Sequence, residues 1–393
     1  MPWSEVSRMD SRSEFTKLAL VEGANVSALC RRFGISRKTG YKWLGRVAAG
    51  SGVADRSRRP HASPERTEAA LEASVLELRH RHPTWGGRKL RRRLLDLGHE
   101  TVPAASTISG ILRRHGLIDP DEALRHTAFR RFEHPAPNDL WQMDYKGHFV
   151  HGRGRCHPLT VLDDHSRFSI CLAACENERT QTVREQLTAR FRRYGLPLRI
   201  NVDNGSPWGE GPGYRFTLLT VWLARLGIAV SHSRPFHPQT NGKDERFHRT
   251  LKADVIQGVL FADLDQCQTA FDRWRTIYNT ERPHEAIGMA VPASRYRMSD
   301  RPFPEILPEP EYHPDDLVRK VQKNGEIAFK GRILDLPKSL LGQKVGLRPT
   351  QTDGVWDILF ATFPIAQVDL REGSCNPETV THVPERVLPI SPV

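Results

Sequence analysis

Cysteine is scarce in this chain of 393 residues, and its six cysteines include no CxxC pair. Proteins that depend on disulfides are richer in cysteine, so this usage indicates a reducing compartment. We expect free and mostly buried thiols. The six are Cys30, Cys156, Cys171, Cys175, Cys267 and Cys375.

Long apolar runs are missing as well. No stretch approaches the ~18–20 residues that cross a bilayer, and the first residues lack the apolar segment of a secretory signal. We therefore expect no membrane contact and a cytoplasmic protein. At roughly 150 residues per domain, the length allows two to four domains.

Positive charge, in contrast, is abundant and uneven, with a net charge of +12. Residues 1–135 hold 25 basic and 15 acidic side chains, residues 136–300 hold 22 and 18, and residues 301–393 hold 11 and 13. A basic first third favours a polyanion such as DNA as the partner of that part of the chain.

Residues 11–47 are predicted to form a helix-turn-helix domain. Gly34 makes a turn between two helices, and Ser36 is a candidate cap for a third helix that begins at Arg37. Its charged side, opposite Trp43, is predicted to enter the major groove of DNA. The candidate DNA-binding residues are Arg37, Lys38, Tyr41 and Lys42. The alternative is an ordinary three-helix bundle with a charged face.

A second module of this type is predicted over residues 62–117. It contains a very basic helix over residues 88–97 and a last helix that Ser106 would cap. Arg88 and Arg92 are candidate DNA contacts, and phosphate contacts of this kind give affinity and salt dependence rather than sequence choice. The alternative is a solvated basic surface.

After a polar connector (118–138), the pattern changes to a mixed α/β domain over residues 139–300. The strands are predicted over 140–150, 158–165, 168–174, 198–202 and 228–231. The helices are predicted over 180–194, 215–226, 242–260 and 264–279. Short apolar strands that alternate with helices are typical of a sheet with parallel strands.

Residues 317–372 are predicted to form a small all-β barrel, because short alternating stretches are separated by Gly and Pro turns. Residues 373–393 form a tail. The predicted fold class is therefore multidomain, with tandem helix-turn-helix modules, an α/β core and a small C-terminal β-barrel.

Three carboxylates occupy unusual positions in the α/β domain. Asp144 lies inside an apolar strand, Asp203 closes a strand, and Glu245 lies in the first turn of a helix. Acids at strand ends and at a helix start can converge on one crevice of an open sheet. Clustered carboxylates repel one another, and their hard oxygens favour Mg²⁺ or Mn²⁺. A pair of such ions can promote phosphodiester displacement.

Each acid also has a structural interpretation. The Asp203-Asn204-Gly205 sequence is typical of a turn, and Glu245 would also stabilise a helix N-terminus or pair with Arg249. Asp144 is harder to explain in this way because aspartate is disfavoured in strands. The helix of Glu245 carries cations on the same polar side, which suits phosphate beside a metal site. These candidate DNA contacts are Lys243, Arg249 and Lys252.

The segments that carry the acids are WQMDY around Asp144, LTVLDDHSRF (159–168), NVDNGS around Asp203 and SRPFHPQTNGKDERFHRTLK (233–252). Together they resemble the DDE transposases of bacterial insertion sequences, which are relatives of retroviral integrases. The later YNTERPHEAIGMAVPASRY (278–296) is similar to the segment that closes their catalytic core. The resemblance covers most of the chain, and the HPQTNGKDER run is its most specific part.

The resemblance implies an RNase H-like core in which Asp144, Asp203 and Glu245 are catalytic and bind two Mg²⁺ ions, with Mn²⁺ as an alternative. Water would be activated to nick the transposon ends, and the freed 3′-hydroxyl would attack target DNA. Lys252 matches the basic residue that the family places near the scissile end. The implied partners are double-stranded DNA of ends and target and further copies of the chain, in the bacterial nucleoid.

Two features depart from the family's pattern. The 41 residues between Asp203 and Glu245 exceed the usual spacing, and the Gly/Pro-rich segment 206–215 can absorb the excess as a surface loop. Asp244 is a rival third ligand, but helix neighbours lie ~100° apart, so only one can face the site. The motif register favours Glu245. Two further acids, Asp163 and Asp164, are interpreted as turn and structural residues.

These observations predict a transposase that acts on the ends of its own element. One alternative is a related recombinase or nuclease with different end recognition. A second alternative is a catalytically silent DNA-binding regulator that relies on the helix-turn-helix modules.

Overall fold

The computed structural model describes residues 8–55, 67–118, 133–209, 216–232, 242–371 and 380–381. The chain divides into two compact units, residues 1–66 and 67–393. Several predicted segments lie outside the described residues. They are residues 119–132 of the connector, most of the tail, and residues 237–241 of the HPQTNGKDER run. Among the described helices, none combines the length and apolar character needed to span a bilayer.

The first unit contains three short helices, α1 (Arg8–Ala19), α2 (Val26–Arg32) and α3 (Arg37–Ala48). Ser36 caps α3, as predicted, and its side chain accepts a hydrogen bond from the Thr39 amide at 3.1 Å. Gly40 permits a close approach of the helices, because a Cβ there would lie 2.6 Å from Cys30 Sγ and 2.9 Å from the Phe15 ring. This is the predicted helix-turn-helix arrangement.

The second unit begins with α4 (Ala69–Arg81), α5 (Gly87–Asp96) and α6 (Ala105–Arg114). Buried apolar side chains of all three helices, with Trp85, form one core. The prediction that Ser106 caps α6 is wrong. The helix begins at Ala105, two residues earlier than a cap at Ser106 would place it, and the residue before it, Ala104, makes no side-chain capping bond. Alanine is a stronger helix former than serine, so Ala105 extends the helix ahead of the serine.

The central domain is built on one mixed sheet. Its strands are β1 (Trp141–Tyr145), β2 (Phe149–His151), β3 (Gly154–Asp163), β4 (Ser169–Cys175), β5 (Arg199–Val202) and β6 (Ala229–His232). Strand β3 is antiparallel to β1, β2 and β4, whereas β1, β5 and β6 are parallel to one another. The predicted strand over 140–150 is two strands, because Gly147 adopts a φ of +79° between them.

Helices cover both faces of this sheet. Helices α7 (Thr180–Tyr194) and α8 (Leu218–Arg225) pack on one face, and α9 (Gly242–Leu251) and α10 (Leu264–Thr280) pack on the other. The predicted helix over 242–260 is shorter, because α9 passes into a π-helical turn, Lys252–Ile256, and Gly258 then takes a φ of +78°. The layered order positions the N-terminal half of α9 beside the ends of the strands.

The C-terminal strands form an antiparallel sheet and a hairpin. They are β7 (Leu317–Lys320), β8 (Glu326–Phe329), β9 (Arg332–Asp335), β10 (Lys344–Pro349), β11 (Val355–Phe360), β12 (Phe363–Asp369) and β13 (Val380–Thr381). The sheet order is β13-β12-β11-β10-β7, and β8 pairs with β9. Within the described residues these strands do not close into the predicted barrel, since β7 and the two-residue β13 lie at opposite edges. Their core packs against α8 through Val221.

The cysteines in the described part of the chain are free and buried, as predicted. They are Cys30, Cys156, Cys171, Cys175 and Cys267. Cys375 lies outside the described residues.

Candidate active site at the carboxyl ends of the parallel strands

Asp144 and Asp203 lie on neighbouring parallel strands. Trp141 pairs with Ile200 and Gln142 with Asn201, so the same register brings Asp144 level with Asp203. The two acids therefore meet near the carboxyl ends of β1 and β5. This end of an open sheet is the usual place for a ligand.

The Asp144 carboxyl carries an electrostatic signature of crowded acids. Its side chain is 25% exposed. Burial and the negative charges of Asp203, Glu178 and Glu245 together raise its pKa to about 7. Asp203 and Glu245 are thus close enough to Asp144 to raise its pKa, and the charges around Asp144 are mostly negative.

Asp203 is oriented by its own turn. Its Oδ1 accepts hydrogen bonds from the Gly205 amide at 2.9 Å and from the Trp208 indole nitrogen. Trp208 is buried, stacks on Tyr145 with the ring centroids 5.6 Å apart, and its carbonyl lies 3.1 Å from His232 Nε2. The turn that the sequence predicts after Asp203 therefore also fixes the direction of its carboxylate.

Helix α9 brings two neighbouring acids to the site with opposite exposure. Asp244 is 1% exposed, and its Oδ1 is buried without a hydrogen-bond partner among the described residues. Burial raises the pKa of Asp244 well above its usual value, and the charges of Asp144 and Asp164 raise it further. Glu245 is exposed to solvent. Glu245 is thus the member of the pair that an ion with bound water or phosphate can reach.

Two neighbours of Asp144 were missed by the sequence reasoning. His248 Nδ1 lies 4.0 Å from the Asp144 carboxylate, and His248 Nε2 lies 2.8 Å from Thr160 Oγ1, which donates to the Asp144 carbonyl at 2.9 Å. Burial lowers the pKa of His248 to about 4, so this ring is neutral and does not compensate the acid. His248 lies three residues after Glu245, and this spacing would have placed the two side chains on the same side of the helix.

Cations lie beside the acids. Lys146 follows Asp144 by two residues, and its pKa is lowered by burial and by the nearby charge of Lys252. Arg249 is exposed on α9, and Lys252 is exposed just after the end of that helix. A basic surface next to a carboxylate cluster suits a phosphodiester, and Lys146 is a member of it that the sequence reasoning did not single out.

Asp163 and Asp164 are structural residues of the turn between β3 and β4, as expected. Asp163 is buried and accepts bonds from the amides of Asn138 at 2.7 Å and Ser166 at 2.8 Å. Asp164 accepts from Gln142 Nε2 at 2.7 Å and forms an ion pair with Lys243. The Lys243 ammonium is directed at this buried carboxylate.

The other predicted DNA contacts lie on helix surfaces. Arg37, Lys38, Tyr41 and Lys42 are all exposed on α3, with the Lys42 ammonium 5.4 Å from the centre of the Trp43 ring. On α5, Arg88 lies 3.5 Å from Glu285, and Arg92 pairs with Asp96 one turn later at 2.9 Å.

The donor set fits a hard divalent cation, since carboxylate oxygens in excess of nearby positive charge are what Mg²⁺ and Mn²⁺ prefer. Over the described ranges, however, no three His, Cys, Asp or Glu side chains are close enough to hold an ion as they stand. The acids approach one another without forming a closed set of ligands.

Four known families match parts of the chain. Integrase core domain families match residues 134–238 and 226–292. The C-terminal domain of IS481 family transposases matches residues 316–376, and a homeodomain-like domain matches residues 39–112.

Individual proteins are also similar to the chain. An uncharacterized 31.7 kDa protein of insertion element IS407 from Burkholderia multivorans is 22% identical over 59% of this chain and 82% of its own length. An uncharacterized 39.2 kDa protein of IS476 from Xanthomonas euvesicatoria is 26% identical over 58% of this chain and 65% of its own length. One chain of the cryo-EM structure of the simian T-cell lymphotropic virus intasome in complex with PP2A regulatory subunit B56 gamma is also similar. It aligns over 74% of this chain and 97% of its own length, at 16% identity and a TM-score of 0.35.

The central domain is therefore an integrase core with an RNase H-like sheet, preceded by a helix-turn-helix-like region. With a transposase C-terminal domain behind that core, the chain is a transposase of the integrase type found in insertion elements.

Proposed function

We propose that the chain is a DDE transposase that binds the ends of its own element, cleaves a phosphodiester there and joins the freed end to target DNA. The observation that carries the proposal is that Asp203, on the strand beside β1, and Glu245, on α9, lie close enough to Asp144 to raise its pKa. Clustered acids of this kind are stabilised by a positive partner such as a divalent cation.

Asp144, Asp203 and Glu245 would hold two Mg²⁺ ions, or Mn²⁺. The ions would lower the pKa of a water or 3′-hydroxyl nucleophile and stabilise the leaving oxygen. The chain's own residues provide the frame for this chemistry. Trp208 and Gly205 hold the direction of Asp203, and Thr160 bridges the Asp144 backbone to His248.

Positive side chains near these acids would hold the DNA backbone. We assign Lys146, Arg249 and Lys252 to phosphates at the scissile end, because they border the acids and phosphate contacts position a duplex without reading it. Lys243, whose ammonium pairs with Asp164, is kept as a further candidate DNA contact.

We assign end binding to the helical modules, 11–47 and 62–117, and catalysis to residues 139–300. In this assignment Arg37, Lys38, Tyr41 and Lys42 of α3 contact the major groove, and Arg88 and Arg92 of α5 contact phosphates. Two distant ends have to be processed together, so the active form on DNA is a homo-oligomer. Its place of action is the bacterial nucleoid.

The test is a strand-transfer assay with Mg²⁺ and duplexes that carry the inverted repeats flanking the coding region. We expect the unmodified chain to join these ends to target DNA. Asp144→Asn, Asp203→Asn and Glu245→Gln should bind the ends but reduce joining to the level seen without divalent metal. Asp265→Asn, an exposed acid of α10, is the control and should join normally.

Asp244→Asn separates the two neighbours on α9. Because Asp244 is buried and its raised pKa favours the neutral form, the amide should be tolerated and joining retained. Loss of joining in Asp244→Asn with full activity in Glu245→Gln would contradict the assignment. Ends that are bound but never joined by the unmodified chain would favour the silent regulator.

A further inference from the structure

Helix α5, the most basic helix of the second module, turns one side toward the integrase core. Arg93 pairs with Glu281 at 2.8 Å, and its side chain is only 20% exposed. Lys89 is mostly buried among charged groups of the core, which include Arg282, Arg246 and Asp254. Just before α5, Thr84 donates to the Asp254 carboxylate at 2.6 Å. This side of α5 fastens the module to the core.

Helix α6, in contrast, leaves one face open. Ile108, Ile111 and Leu112 are buried in the module's core, whereas Ser106, Thr107 and Arg113 are exposed. Gly110 lies between these exposed positions, one turn from Thr107 and one turn from Arg113. Hydroxyl and guanidinium groups along one helical face are suited to hydrogen bonds with base edges.

Gly110 has no explanation in the packing of the described chain. Glycine destabilises a helix interior relative to alanine, yet a Cβ built at Gly110 meets nothing within 4 Å. Gly87 of α5 is different, because a Cβ there would lie 2.5 Å from the Ala105 carbonyl and 2.5 Å from Ser109 Oγ. The missing side chain at Gly110 leaves a smooth surface on the open side of α6, which suits close approach of an external body.

Charge complementarity favours duplex DNA as that body. Residues 67–118 contain nine basic and five acidic side chains. Arg91 and Arg92 are exposed on α5, so they add positive charge to the surface of the module. In a helix-turn-helix the second helix of the motif enters the major groove while the first crosses the backbone. The homeodomain-like match reaches residue 112, within α6.

We propose that α6 is the base-reading helix of the second module, with Thr107 and Arg113 as the specificity-determining residues and Gly110 as the point of closest approach. The proposal rests on the proposed function for the identity of the duplex. Arg88 and Arg92 of α5 then serve the flanking phosphates. Because α5 is fixed to the core, the bases read by α6 determine which phosphodiester reaches Asp144.

The test is selection of bound sequences from duplex DNA with a randomised central segment, using the full chain without divalent metal. Thr107→Ala and Arg113→Ala should each change or erase one block of the selected motif and weaken binding to the original motif about tenfold. Arg91→Ala should weaken all sequences alike and lower the salt dependence by about one released ion. Thr269→Ala, an exposed threonine of α10, is the matched control and should change neither.

Gly110→Ala distinguishes a binding role from a structural one. Alanine fills open space and favours the helix, so the melting temperature should stay the same or rise while motif binding weakens about tenfold. An unchanged motif in Thr107→Ala and Arg113→Ala, or normal binding by Gly110→Ala, would overturn the proposal, and so would the absence of any selected motif. This assay needs no catalysis, so a chain that selects DNA through α6 but fails to join ends would contradict only the proposed function.

Discussion

Asp144 is a carboxyl group whose surroundings oppose its ionisation. Burial and the acids around it raise its pKa to about 7, and the neutral His248 offers no compensating charge. A fold that needed only a stable strand at this position would gain from an apolar residue. The unfavourable charge therefore indicates a site arranged for a positive ligand rather than for stability.

Lys89 illustrates a cost of a different kind, at the junction of the second module and the core. Burial, together with the charges of Arg282 and Arg246, lowers its pKa to about 7. The ordinary lysine pKa is 10.5. At pH 7 and below, the folded chain keeps a charged Lys89 ammonium that burial and neighbouring cations destabilise. Between pH 7 and 10.5, Lys89 is largely neutral in the folded chain but still protonated in the unfolded chain, so stability rises with pH.

We expect Lys89→Met to be more stable than the unmodified chain at pH 7, by a few kcal/mol at most (about 1.4 kcal/mol per pKa unit). Because this lysine adds stability as the pH rises from 7 to 10.5, the advantage of methionine should shrink over that range. Urea unfolding at pH 7, 8.5 and 10 measures the difference. A difference independent of pH would contradict the burial of the Lys89 ammonium.

Some residues of the site were predictable and others were not, for physical reasons. Asp144 and Asp203 stand out because acids are unusual at the ends of apolar strands. The direction of Lys243 could not be predicted, since its partner Asp164 lies 79 residues away and comes close only when the turn after β3 packs against α9. The buried state of Asp244 likewise depends on packing between elements.

At the scale of elements, the π-helical turn after α9 is held by one carboxylate. Asp254 accepts hydrogen bonds from Trp274 Nε1 at 2.9 Å, Arg282 at 2.9 Å and Thr84 at 2.6 Å. These donors belong to α10, the segment after it and the turn before α5. Asp254 thus joins three elements, and π-helical turns of this kind are frequent at functional sites.

Asp254→Ala should destabilise the second unit by about 3 kcal/mol, because removing one partner leaves the Arg282 guanidinium buried and unpaired. The Arg282 side chain is 8% exposed. Urea unfolding of the full chain, followed by tryptophan fluorescence, measures the effect. Asp265→Ala is the exposed control and should cost less than about 0.5 kcal/mol. An equal effect of the two substitutions would show that Asp254 does not hold the junction.

The elements themselves followed local sequence signals where those signals were strong. Helix α7 has the predicted bounds, Thr180–Tyr194, because its apolar residues recur every four positions and Gly195 ends it. The helix over 242–260 was overestimated because its apolar face continues past Leu251, while Asp254 is drawn toward Trp274 and Arg282 from other elements. The predicted strand over 140–150 is too long, because Gly147, with a φ of +79°, divides it into β1 and β2.

At the scale of the whole chain, sequence order and charge indicated the organisation better than the geometry. The order of strands and helices predicted a mixed sheet, and the structure confirms parallel β1, β5 and β6 with antiparallel β3. Alternation alone led to the prediction of a closed C-terminal barrel, which the described strands do not form. Alternation fixes which side chains face the core but not which sheet edges pair. The contacts of α5 with the core, such as the Arg93–Glu281 ion pair, join residues far apart in the chain, so the sequence pattern of this basic helix did not reveal them.

The most direct test of the account is binding of Mn²⁺ to the full chain, measured by electron paramagnetic resonance without DNA. We expect up to two ions per chain, with binding weakened strongly in Asp144→Asn, Asp203→Asn and Glu245→Gln and unchanged in Asp265→Asn. Equal Mn²⁺ binding by the unmodified chain and by all three site variants would contradict the assignment of these acids as the metal site.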